Sequence, residues 1–123
     1  MKIRLAETAG FCFGVNRAVE MVYELLDQGE KVCTLGPIIH NEQMVAELAA
    51  RGVRTVSSLE EVLPDEVLVI RSHGVGKTLY ENAASCGVRV ADATCPFVAK
   101  IHRIVAEQSR TGDVILIAGD ENH

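Results

Sequence analysis

Cysteine and histidine are the residues in this 123-residue sequence best suited to metal ligation, nucleophilic attack or anion binding. The cysteines stand at 12, 33, 86 and 95, and the histidines at 40, 73, 102 and 123. Their neighbours sort them. Cys12 lies in Gly10-Phe11-Cys12-Phe13-Gly14 and Cys95 in Asp92-Ala93-Thr94-Cys95-Pro96, each just ahead of a helical pattern. A helix N-terminus stabilises a thiolate, the form that ligates a metal or attacks an electrophile. The residues alone leave metal ligand, nucleophile and half-buried free thiol all open. His40, in Gly36-Pro37-Ile38-Ile39-His40-Asn41, and His73, in Ser72-His73-Gly74-Val75-Gly76, also open helices. Imidazole and helix N–H groups together make a phosphate cradle, though a surface or capping histidine fits the same position. His102 sits among charged neighbours within a helix and reads as solvated. His123 is the last residue, so its context is missing. Gly74-Val75-Gly76-Lys77-Thr78 lacks the glycine spacing of a phosphate loop.

Alternating strand and helix patterns position these residues. Lys2–Ala6, Lys31–Leu35, Val53–Val56, Glu66–Arg71, Val88–Ala91 and Asp113–Ala118 read as strands. Helices are expected over 15–28, from an Asn41 cap to Gly52, over 77–86, and from Pro96 to about Arg110, with one turn around Leu59–Val62. Such alternation predicts an α/β fold, a parallel sheet with helices on both faces (an αβα sandwich). We expect a first αβα domain over residues 1–96 and the start of a second over 97–123. The chain stops just after a strongly apolar run, which reads as a truncation. In a parallel sheet the loops carrying Cys12, His40, His73, Cys95 and His123 share the carboxyl edge, where ligand sites of open sheets form. Cys33, inside a strand, and Cys86, closing a helix at the opposite edge, read as buried filler.

Composition narrows the functional classes. Hydrophobic residues make up 48% of the chain, with no Trp, so the core must be aliphatic. A net charge of -5 offers no broad basic field for nucleic acid. No segment approaches the roughly 20 apolar residues of a membrane span, and no signal-peptide pattern opens the chain. A cytoplasmic location is therefore expected, where thiols stay reduced.

Four runs in register carry a closer likeness: Ala9-Gly10-Phe11-Cys12-Phe13-Gly14-Val15, Leu35-Gly36-Pro37-Ile38-Ile39-His40-Asn41, Arg71-Ser72-His73-Gly74-Val75 and Asp92-Ala93-Thr94-Cys95-Pro96. In order and spacing they resemble the LytB/IspH family of iron–sulfur oxidoreductases, along the whole chain. The resemblance implies three αβα domains around a central 4Fe–4S cluster held by three cysteines, with one iron left open. Cys12 and Cys95 match the first two ligands, and the third is absent from this chain. Residues matching His40, His73 and His123 line the substrate, His123 with a catalytic role at its hydroxyl end. The implied reaction is reductive dehydration of 4-hydroxy-3-methylbut-2-enyl diphosphate to isopentenyl and dimethylallyl diphosphate. Its electrons would come from an external donor of the ferredoxin or flavodoxin class. The family's proton-donating glutamate would follow His123, so Glu121 is not that residue. Rival readings are a mononuclear Cys/His metal site, a cysteine-nucleophile hydrolase, and a non-catalytic fragment that packs on another chain.

Overall fold

A computed structural model describes residues 1–4 and 10–119. Its helices are α1 (Phe13–Asp27), α2 (Glu42–Ala50), α3 (Lys77–Ser85) and α4 (Pro96–Gln108). Its strands are β1 (Lys31–Leu35), β2 (Arg54–Val56), β3 (Glu66–Ile70) and β4 (Arg89–Asp92), with a 3-10 turn at Leu59–Glu61. The strands form one parallel sheet in the order β2-β1-β3-β4. In register, Cys33 faces Leu68 across β1 and β3, and Val69 faces Ala91 across β3 and β4.

Each strand sends alternate side chains to opposite faces, and the sheet is buried from both sides. On one face Val32, Val69 and Ala91 meet Ala18 and Val22 of α1 and Leu48 of α2. On the other, Cys33, Val56, Leu68 and Ile70 meet Leu79 and Tyr80 of α3 and Leu59 by the 3-10 turn. β3 is buried along its whole length, which explains its unbroken apolar run. Asn41 caps α2 by accepting the Met44 N–H at 3.0 Å. Past α1, Gly29 takes φ +79° and its N–H bonds the Leu26 carbonyl, turning the chain into β1.

One expected strand is not a strand among the described residues, and another lies partly outside them. Lys2–Arg4 lie outside any ladder, while Leu5 and Ala6 fall outside the described residues. Asp113–Ala118 pairs with none of the described residues, and Val114, Leu116 and Ile117 are exposed. An apolar run becomes a strand only when a neighbour takes its N–H and C=O groups. Among the described residues neither sheet edge, β2 or β4, receives one. α4 likewise keeps Ile101 and Ile104 exposed.

At the amino edge of β3, buried Glu66 accepts from Arg54 Nη1 with both oxygens at 2.8 Å and from the Leu63 N–H at 2.9 Å. Burial would push the Glu66 carboxyl up, but the Leu63 N–H and the Arg54 guanidinium outweigh it and hold it below the usual carboxylate range. A depressed folded value stabilises the fold above the unfolded value, and that stability drains as pH falls through the folded one. Glu66→Gln is expected to cost about 1–3 kcal/mol at neutral pH. Below about pH 5, where the unfolded carboxyl begins to protonate, the gap to the parent should shrink. Urea unfolding from pH 7 to 3 measures it, and a gap independent of pH would refute this role.

Candidate functional site

Four loops leave the carboxyl ends of the sheet or lead into its helices, and the candidate residues sit on them. From β1 the chain runs into α2, on one face; from β3 it runs into α3, on the other. Divergence of neighbouring strand connections opens a crevice between their carboxyl ends. His40 follows β1 and His73 follows β3, both exposed, with ring centroids 6.2 Å apart. Between those loops Arg71 holds Nη1 3.6 Å from where a Cβ on Gly36 would lie. Two imidazoles and a guanidinium thus share the crevice, a set of donors suited to an anion.

The two cysteine loops meet beside it. Cys12 is the N-cap of α1 and Cys95 the N-cap of α4, and neither side chain makes a capping hydrogen bond. Both are free thiols, Cys12 exposed and Cys95 half-buried. A Cβ built on Gly14 would lie 2.8 Å from both Cβ and Sγ of Cys95, so only glycine lets the first turn of α1 approach that thiol. Phe13 and Phe97, both largely exposed, meet beside the contact edge to face, 6.4 Å between centroids and 76° between planes. The Cys95 N–H donates to the Ser72 carbonyl at 2.9 Å, tying this loop to that of His73.

As donors, two uncommitted thiols at helix N-termini suit a soft metal centre such as an iron–sulfur cluster. They fit as part of a ligand set only. Among the described residues no group of three or more His, Cys, Asp or Glu side chains is arranged to hold a metal ion.

Comparison with known proteins bears on that arrangement. The family model described as LytB protein matches residues 3–123. This chain belongs to the LytB family. A relative from Thermoanaerobacter sp. (strain X514), 4-hydroxy-3-methylbut-2-enyl diphosphate reductase, is 48% identical over 100% of this chain and 44% of its own length. The reductase of Clostridioides difficile (strain 630) is 40% identical over the same shares. Among solved structures, an (E)-4-hydroxy-3-methyl-but-2-enyl diphosphate reductase, the terminal enzyme of the non-mevalonate pathway, superposes with a TM-score of 0.83 at 44% identity. That match covers 98% of this chain and 43% of the other. The Plasmodium falciparum reductase gives 0.87 at 30% identity, covering 95% and 37%. The LytB chain therefore spans a little under half the length of these relatives.

Of the residues expected in this LytB chain's site, Cys12 and Cys95 stand on adjoining loops and His40 and His73 face each other. His123 and Glu121 lie outside the described residues. Cys33 is fully buried; desolvation, then the Glu66 carboxylate, pushes its thiol up to about 12, leaving it inert. Cys86 differs from expectation. It is exposed at the C-cap of α3, a helix whose one fully buried residue is Ala83. His102 is exposed as expected, yet it touches the site: a Cβ on Gly74 would lie 2.9 Å from its Cε1.

Sequence reasoning passed over Arg17, Tyr80, Arg71, Asp92 and Thr94. Asp92-Ala93-Thr94 before a Pro-initiated helix does carry a signal, an aspartate able to bond the backbone two residues on. Arg17 and Tyr80 lie in ordinary helical patterns and carry none. No helix among the described residues is long and apolar enough to cross a membrane.

Gly-to-Ala in a helix ordinarily gains roughly 0.5–1 kcal/mol. At Gly14 the sign should reverse, because the new methyl must displace Cys95. A lower urea midpoint for Gly14→Ala is expected, and an unchanged or raised midpoint would dismiss the close approach.

Proposed function

We propose that this chain supplies the first part of the active site of a 4-hydroxy-3-methylbut-2-enyl diphosphate reductase. In this reading Cys12 and Cys95 are two of the thiolate ligands of a 4Fe–4S cluster, and His40 and His73 bind the substrate's diphosphate. His123 would orient the hydroxyl end or relay a proton to it. The observation that carries the reading is the meeting of the two cysteine loops at Gly14, directly beside the facing pair His40 and His73. Relatives named for this reductase activity, at 40–49% identity, support it.

Each group has a physical task. Cys12 and Cys95, at the N-termini of α1 and α4 with no capping bond on either side chain, leave both sulfur atoms available to a metal. His40 and His73 approach an anion from opposite sides of the crevice, with the Arg71 charge behind them. Asn41 keeps the His40 loop in place through its cap on α2. Phe13, which follows Cys12, and Phe97, one position past Pro96, lie against each other and hold the starts of α1 and α4 side by side. A bound cluster would supply electrons and, at an iron without a protein ligand, Lewis acidity toward the substrate's hydroxyl. The overall change consumes two electrons and two protons and releases water, the electrons coming from a donor of the ferredoxin or flavodoxin class.

The domain reading follows the same lines. Residues 1–96 form the αβα unit bearing the cluster and diphosphate loops, and 97–123 begin a second. The third thiolate must come from neither Cys33, which is buried, nor Cys86, which lies at the opposite edge. By itself, then, the 123-residue polypeptide should hold no stable cluster.

Anaerobic purification with a visible spectrum and iron and sulfide assays tests this, on this chain and on one extended past His123. Only the longer chain should be brown, and Cys12→Ser or Cys95→Ser should remove most of its iron. If neither chain holds iron, or zinc without sulfide replaces it, the cluster assignment fails.

A further inference from the structure

Thr94, immediately before Cys95, is bound through each of its groups to a different part of the molecule. Its N–H donates to Asp92 Oδ1 at 2.9 Å, and its hydroxyl bonds the same oxygen. The Tyr80 hydroxyl of α3 donates to Asp92 Oδ2 at 3.0 Å and lies 3.4 Å from Thr94 Oγ1. Its carbonyl accepts from Arg17 Nη1 at 3.2 Å, and Arg17 belongs to α1, the helix headed by Cys12. Its methyl lies 3.0 Å from where a Cβ on Gly74 would stand, next to His73, in a turn held at φ +71°. One residue so connected locks three things at once: the Cys95 turn, the helix of Cys12 and the loop of His73.

We propose that Thr94, held by Asp92, Tyr80 and Arg17, is the positioning residue that fixes Cys95 relative to Cys12 and His73. The role assigned to Cys95 rests on the reading of both cysteines as metal ligands. The hydroxyl network orders the turn, while the methyl spaces it from the Gly74 turn. Thr94→Val keeps the methyl and removes the hydroxyl; Thr94→Ser does the converse.

Per-site alkylation of this chain by iodoacetamide, read by mass spectrometry, separates the contributions. Thr94→Val should raise the rate of Cys95 relative to Cys12 by about tenfold, the local opening expected when a threonine loses its hydroxyl bonds. Thr94→Ser should stay within about twofold of the parent, because its hydroxyl remains. Buried Cys33 reacts only through global opening and is the internal control; its rate should not move. An unchanged Cys95 to Cys12 ratio in Thr94→Val overturns the proposal, as does acceleration of Cys33 in step with Cys95. Should Thr94→Val fail to fold, Tyr80→Phe decides, with about threefold expected and no change overturning. The metal reading fails separately, through the iron content of the Cys12→Ser and Cys95→Ser chains, and leaves these ratios unaffected.

Discussion

A helix can rest its first turn on the thiol of another loop only if the residue in between has no side chain. Gly14 meets that condition, and its 2.8 Å spacing to Cys95 leaves no room for even a methyl group. From this contact much of the site follows. It brings the N-termini of α1 and α4 together, so both cysteines share one electropositive corner. It places Phe13 against Phe97. It also lets Arg17, one turn along α1, reach the carbonyl of Thr94. A β-carbon at position 14 would have to displace the Cys95 side chain on which this contact rests.

The sheet supplies the second half of the arrangement. In the order β2-β1-β3-β4, the connections leaving β1 and β3 depart to opposite faces, and the gap between them is where His40 and His73 stand. The hydrogen bond from the Cys95 N–H to the Ser72 carbonyl joins this gap to the cysteine corner. The two cysteines and the two histidines thus stand together, although they come from four separate stretches of sequence.

Local pattern was enough to locate most of the fold. The Asn41 cap, the Pro96 start of α4, the glycine stop after α1 and the apolar run of β3 each carry their physical cause within a few residues. The collection of Cys12, His40, His73 and Cys95 at one edge was legible for the same reason, since alternating elements fix which loops share an edge. What could not be read locally depends on partners distant in sequence. Val114–Ala118 has every property of a strand except a neighbour among the described residues. Cys86 is exposed at the C-cap of a helix that fully buries only Ala83, which no spacing of apolar residues reveals. Arg17 and Tyr80 matter because of Thr94 and Asp92, residues 77 and 12 positions away along the chain respectively.

Asp92 shows how such a network is tuned. Burial pushes its carboxyl up, but the bonds from Thr94 and Tyr80 and the Arg17 charge outweigh that effect and hold it below the usual range. The phenol beside it moves the other way: burial and the neighbouring carboxylate raise Tyr80, so it remains a donor. Charge and proton are thus assigned unambiguously, a carboxylate that only accepts and a hydroxyl that donates to it. An acceptor of fixed charge can hold the Thr94 N–H and hydroxyl in one geometry over the whole neutral range. The contrast with Cys33 makes the general point. The same side chain type is inert where desolvation and Glu66 push its thiol up to about 12, and available where a helix begins and no capping bond occupies it. Chemistry in this chain is distributed by backbone position first and by residue identity second.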